Sequence, residues 1–210
     1  MEKIYVTKSF KPPIEEYIEK IKNIFDNNQF SNRGIMVNEL EFEIQNLLSH
    51  NLYKILLTNN GTTPLQMALK YFVGKGKGEV ITTPFSFVAT TSSILWENYV
   101  PRFVDIESEY FCIDENKIES AINEHTKCIL ATHVFGNPCN VEKIDKISSK
   151  YKIPVIYDGA HAFGTKFQGK SIFEFGDIST CSFHATKIFH TGEGGCMFFK
   201  NKNIHNTIFK

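Results

Sequence analysis

Neither sign of charge prevails in these 210 residues: 23 Lys and Arg stand against 23 Asp and Glu. That balance, with no run of Lys and Arg, leaves no electrostatic footprint for nucleic acid or an anionic membrane surface. Cysteine is sparse and unpaired in pattern. Cys112, Cys128, Cys139, Cys181 and Cys196 form no Cys-x-x-Cys motif, and an odd, scattered set argues against zinc ribbons and disulfide scaffolds. Buried free thiols in a reducing cytoplasm are expected instead. No stretch reaches the ~18 apolar residues of a membrane span. The N-terminus lacks the apolar core of a signal peptide, so a soluble cytoplasmic protein is expected. Internal repeats, low-complexity tracts and dividing linkers are missing too. The glycine-richest stretch, Gly74 to Gly78, precedes a predicted strand. A dinucleotide fingerprint needs the order strand, glycine turn, helix, so a surface turn is the better reading.

What is present is ordinary apolar content, 42%, arranged in two alternating periods. Ile14 to Phe25 has helical spacing just after Pro12 and Pro13, and a second helical pattern follows Gly34. Ile55 to Leu57 reads as a buried strand, leading through Asn59 to Pro64 into a helix over about Leu65 to Phe72. Pro64 suits a first helical turn, where its missing N–H costs nothing. Further strands are expected at Val80 to Thr82, Arg102 to Asp105, Cys128 to Val134 and Ile153 to Tyr157. Helices are expected at Val88 to Trp96, Ile113 to Ile122 and Val141 to Lys150. Such alternation predicts an α/β layer fold with a largely parallel sheet. After Asp158 the long helices stop. Ile178 to Phe183 and Cys196 to Phe199 read as strands there, with antiparallel pairing plausible.

Three strings fall where a parallel sheet places ligands, at the carboxyl ends of strands. Asn60-Gly61-Thr62-Thr63-Pro64 offers helix N-terminal amides and hydroxyls to a phosphate; a helix simply capped by Thr62 or Thr63 explains it as well. Asp158 ends an apolar strand before small residues, as an acid over the sheet edge or as a cap. Lys187 follows a strand, between Ser182-Phe183-His184-Ala185-Thr186 and Gly192-Glu193-Gly194-Gly195. A lysine so placed is ordinarily a solvated one, and lysine chemistry requires a lowered pKa and a carbonyl to attack. Together the three groups are what a pyridoxal phosphate site needs: a phosphate anchor, an acid beside the pyridine nitrogen, and an amine for the aldehyde.

In this order the motifs resemble the DegT/StrS family of sugar-nucleotide aminotransferases. The strings that carry the likeness are Asn60 to Leu65, Thr83-Pro84-Phe85-Ser86-Phe87-Val88-Ala89-Thr90, Pro101 to Ile106, Thr132 to Pro138, Tyr157 to Gly164, and Ser182 to Lys187 with Gly192 to Gly195. The likeness runs from about Asn32 onward. It implies the large domain of pyridoxal phosphate fold type I, with residues 1–30 as an N-terminal helical segment and residues 31–210 as the cofactor-binding domain. Position by position, Lys187 resembles the lysine that bonds the cofactor covalently, and Asp158 the acid that pairs with its pyridine nitrogen. Thr62, Thr63 and Ser182 match phosphate ligands, Phe87 the aromatic that stacks on the ring, and His161 the Gln or His beside it. No metal is implied. Lys187 argues against the dehydratase branch, where histidine replaces the lysine. The acid motif departs from the family's Glu-Asp-Ala-Ala, reading Tyr157-Asp158-Gly159-Ala160, but keeps the acid.

The resemblance further implies amino transfer, usually from glutamate, to a keto group of a nucleotide-activated deoxysugar. The position is C4 rather than C3, the product serves surface polysaccharides such as lipopolysaccharide O-antigen, and the enzyme is a homodimer. Family members carry a small C-terminal domain, and this chain stops soon after Lys187. The cofactor half of an enzyme with little activity alone is therefore expected. An inactive fragment and a regulatory pyridoxal phosphate-binding protein are the alternatives.

Overall fold

A computed structural model describes residues 3–49 and 51–209. One sheet of seven strands organises the chain, in the order β1-β9-β8-β5-β4-β2-β3. These strands are β1 (Lys54–Thr58), β2 (Glu79–Thr82), β3 (Val100–Phe103), β4 (Thr126–Thr132), β5 (Val155–Asp158), β8 (Ile178–Ser182) and β9 (Gly195–Phe199). The pairs β2 with β3 and β4, β4 with β5, and β5 with β8 are parallel. Only β9 runs the other way, antiparallel to both β8 and β1, which realises the antiparallel pairing expected after Asp158.

Strand residues alternate strictly between two cores, as a period of two requires. Ile55, Ile81, Ile129, Val155, Tyr157 and Phe198 enter one core, which also takes Ile44 of α2 (Ile35–Leu48), Ile118 of α5 (Glu115–Ala121) and Ile144 of α6 (Val141–Tyr151). Leu56, Val80, Leu130, Ile156, Met197 and Phe199 enter the other. Leu65 and Leu69 of α3 (Thr62–Val73), Ile94 of α4 (Val88–Trp96) and Ile204 of α7 (Lys202–Ile208) meet them there. The result is three layers, helix on sheet on helix, the solution for a sheet apolar on both faces. All five cysteines are free and buried. Among the described residues no helix is long and apolar enough to cross a membrane.

Several boundaries differ from the sequence reading, each for a local reason. Strand β3 begins at Val100 and includes Pro101, which pairs with Val80. It lies at the sheet edge, where a residue without an N–H is tolerated. Asp114 accepts from Asn116 N at 3.0 Å and so starts α5 after Ile113, which bridges to Ile106 instead. A small hairpin, β6 (Lys166–Phe167) and β7 (Lys170–Ser171), escaped the sequence reading. Gln168 and Gly169, at φ 49° and 79°, make its turn, with both central residues left-handed as a tight two-residue loop requires.

The other edge, β1, is covered by a charge. Glu41 of α2 is 8% exposed. It accepts from Leu57 N at 2.9 Å and pairs with Arg33, whose guanidinium lies 5.2 Å over the Phe209 ring. Helix α1 (Ile14–Asp26) buries no residue, and Ile14, Tyr17, Ile18, Ile21 and Phe25 remain exposed.

Candidate active site

Because β1, β2, β4, β5 and β8 are parallel, their carboxyl ends lie along one edge, and the loops that leave them enclose a cleft of about 640 Å³. Asn60, Gly61 and Thr62 line it after β1, and Phe85 and Phe87 after β2. His133 and Phe135 follow β4, Asp158 and His161 follow β5, and Ser182 and Lys187 follow β8. Of the residues singled out in the sequence, the cleft brings together Thr62, Phe87, Asp158, His161, Ser182 and Lys187.

Thr63 is placed differently. Its hydroxyl donates to Asn59 Oδ1 at 3.1 Å and lies 3.2 Å from Asn60 Oδ1. Asn60 Oδ1 also accepts from the backbone N–H of Thr62 and Thr63, at 2.9 and 2.8 Å. The side chain that caps α3 is therefore asparagine, not threonine, and it engages the first two amides of the helix. Thr62 itself lines the cleft. Two glycines bring the β8–β9 hairpin, with Ser182, against the α3 terminus. A Cβ on Gly61 would meet Ser182 Cβ at 2.8 Å, and one on Gly195 would meet Asn60 O at 2.4 Å. Only without those carbons do the α3 terminus and the β8–β9 loop approach so closely.

Asp158 forms the floor, 5% exposed. Thr90 Oγ1 donates to its Oδ2 at 2.7 Å, and Ala160 N to its Oδ1 at 3.1 Å. Lys187 is half-buried. Loss of solvent lowers its pKa, and the carboxylate of Asp158 opposes that shift. His161 stands at the exposed rim, with its pKa lowered first by desolvation and then by Lys187. Its ring is parallel to that of Phe135 within 9°, centroids 6.4 Å apart. Phe87 caps the start of α4 and is exposed on the cleft wall.

The loop carrying Lys187 continues the β8–β9 hairpin. Phe183 N donates to Gly194 O at 2.8 Å and Ala185 N to Gly192 O at 2.7 Å. An irregular N-terminal segment lies against it, with Ser9 Oγ donating to Ala185 O at 2.6 Å and His190 Nε2 to Phe10 O at 2.9 Å.

Two residues of the site carried no flag in the sequence reading beyond membership of a quoted string. Thr90 is one. His133 is the other, 1% exposed and stacked on Tyr157 at 4.6 Å. Cys139 N donates to its Nδ1 at 3.1 Å, so the ring proton sits on Nε2, which is buried without a partner. Burial pushes its pKa down to about 3. A histidine at the carboxyl end of a strand was the available signal, but only the fold reveals its burial.

The donor set fits pyridoxal phosphate. Hydroxyl-bearing Thr62 and Ser182 line one cleft beside a turn that missing Cβ atoms allow to approach closely, a buried carboxylate lies in the floor, and an amine made easier to deprotonate lies within its electrostatic reach. Comparison with known proteins agrees. A profile of the DegT/DnrJ/EryC1/StrS aminotransferase family matches residues 13–210. The chain belongs to that family. Among DegT/DnrJ/EryC1/StrS relatives, the dTDP-4-amino-4,6-dideoxy-D-glucose transaminase of Shigella dysenteriae is 44% identical over 209 residues, 99% of this chain and 56% of that protein. The GDP-perosamine synthase of Escherichia coli O157:H7 is 34% identical over 191 residues, 90% of this chain and 51% of that protein. The structure of DesI with its TDP-sugar product superposes with a TM-score of 0.91 at 26% identity, covering 98% of this chain and 51% of that one. The three-layer architecture is thus that of the pyridoxal-phosphate-dependent aminotransferases. The chain spans about half the length of the curated relatives it matches.

Proposed function

We propose that this chain is the cofactor-binding part of a pyridoxal-phosphate-dependent aminotransferase that aminates a keto group of a nucleotide-linked deoxysugar. The observation that carries the reading is the placement of Lys187, half-buried and with a lowered pKa, in one cleft with the buried Asp158. Lys187 would hold the cofactor through Nζ, Asp158 would serve its ring nitrogen, and the hydroxyls of Thr62 and Ser182 its phosphate. The amides of Thr62 and Thr63 remain behind Asn60 as the dipole of the helix terminus. Phe87 and His161 would flank the ring. Bound there, the cofactor supplies an electron-withdrawing ring that stabilises charge on the carbon being deprotonated.

The residues then divide the work by environment. Desolvation leaves more of the Lys187 amine unprotonated near neutral pH, as attack on a carbonyl and proton transfer both require. Asp158 sits where few water molecules screen it, so its charge acts strongly over short distances. The aromatic rings of Phe85, Phe87 and Phe135 line the same cleft and would give a bound ring an apolar wall.

A 4-ketosugar substrate is supported by the names of the relatives, two of which act in 4-amino-4,6-dideoxyglucose and perosamine formation. Glutamate as donor, a homodimer, a cytoplasmic setting and supply of amino sugars to surface polysaccharides complete the reading by resemblance. Residues 31–210 would form the cofactor domain, with residues 1–30 a helical segment ahead of it. The test is direct. Protein mixed with pyridoxal phosphate is reduced with borohydride and mapped by peptide mass. The label is expected on Lys187; a label on another lysine, or none with fresh cofactor, overturns the assignment.

A further inference from the structure

The acids lining the cleft are Asp158 and Glu193, and only Asp158 is buried. Both of its oxygens accept a hydrogen bond, one from the backbone of its own loop and one from a side chain 68 residues earlier, Thr90. Thr90 lies on α4, in the layer facing that side of the sheet, and is fully buried. A threonine inside a helix has an easy local alternative, donating back to the carbonyl one turn earlier. Ser93 in the same helix takes it, with Oγ 2.7 Å from Ala89 O. Thr90 does not; its hydroxyl proton goes across the layer to the carboxylate at 2.7 Å. A hydroxyl has one proton to give, and a donor to a charged acceptor forms one of the stronger hydrogen bonds.

We propose that Thr90 is the positioning residue for Asp158: its hydroxyl fixes the rotation of the carboxylate, so that the charge of Asp158 meets the cofactor ring nitrogen in one orientation. The assignment rests on the aminotransferase reading of the cleft. Ala160 N alone restrains one oxygen and leaves the carboxylate free to turn about that contact. Thr90 restrains the other, and two restraints define a plane. Its methyl group, on a fully buried β-branched side chain with restricted rotamers, holds the hydroxyl in turn.

The experiment compares Thr90→Val and Thr90→Ala, which remove the hydroxyl, with Thr90→Ser, which keeps it. The first readout needs no cofactor: hydrogen exchange of the Ala160 amide, whose acceptor is Asp158 Oδ1. The second is the ¹⁵N signal of ring-labelled pyridoxal phosphate on the protein, which reports protonation of the ring nitrogen. Loss of the hydroxyl is expected to speed Ala160 exchange about tenfold and to move the ring signal toward the unprotonated position, with Ser restoring both. Folded Val or Ala variants in which both signals stay at parental values overturn the proposal. Loss of the fold in both variants overturns it as well, since Thr90 would then be structural. Should the parent protein take up no pyridoxal phosphate, the aminotransferase reading fails, and Ala160 exchange still decides whether Thr90 positions Asp158.

Discussion

The Cβ that Gly61 lacks would stand 2.8 Å from the Cβ of Ser182. That distance is well inside van der Waals contact, and Ser182 cannot yield freely because it is paired with Gly195 in the β8–β9 ladder. Gly61→Ala is therefore expected to push the α3 terminus away from the β8–β9 loop. Overpacking of this kind costs about 1–3 kcal/mol. A matching fall in stability by denaturant titration, with at least a tenfold weaker affinity for pyridoxal phosphate, is the expected result. Unchanged affinity would separate the glycine contact from the phosphate site.

Asp158 raises the pKa of Lys187 against the desolvation that lowers it. Removing the negative charge in Asp158→Asn should therefore lower the pKa of Lys187 further. Competitive amine labelling of cofactor-free protein as a function of pH measures this. The Lys187 profile is expected to move to lower pH in the variant, while exposed lysines keep theirs. A shift to higher pH would show that Asp158 does not act on Lys187 through its charge.

His133 gives a dependence of stability on pH with a definite sign. Its pKa falls from 6.5 to about 3 on folding because the ring is buried, packed on Tyr157 and bonded to Cys139 N. Between those values the unfolded chain binds a proton that the folded chain does not. Stability is therefore full above about pH 6.5 and falls as pH drops toward 3, by up to ~1.4 kcal/mol per unit. Urea titrations of the parent and of His133→Asn should show a shallower slope for the variant in that window.

Glu41 accepts from Leu57 N and pairs with Arg33. Glu41→Ala leaves an edge-strand amide and a half-buried guanidinium without their partner, at a cost of about 2–4 kcal/mol. Glu41→Gln keeps an acceptor for Leu57 N and is expected to lose less. Equal losses for the two variants would assign the whole effect to the charge.

Much of this architecture was legible because it depends on local pattern. Runs such as Ile55 to Leu57 and Val155 to Tyr157 are apolar at every position, as suits strands buried on both faces, and Val88 to Trp96 matches its helix without correction. Asp158 could be singled out because it closes such a run, and Lys187 because it lies in the polar, glycine-flanked loop after β8. What stayed hidden depends on distant partners. Asn60 cannot be told from Thr62 or Thr63 as the cap by residue type alone, since all three side chains can accept from a helix amide. Thr90 reads as an ordinary helical residue until β5 is placed beside α4. The N-terminal contacts of Ser9 and Phe10 with the Lys187 loop join residues about 180 apart in sequence, beyond the reach of any local pattern.

The pairing of β1 with β9 also bears on how the chain is made. Lys54 finds its partner only at Phe199, so β1 leaves the ribosome long before the strand that will neighbour it. At typical elongation rates the wait is on the order of ten seconds. Through that interval Ile55 and Leu56 can be sheltered only by segments already synthesised, such as α2 and α3. Until β9 arrives, the side of β1 that will face it is an open template for strands of other nascent chains, which makes the nascent protein a natural client for chaperones that act during translation.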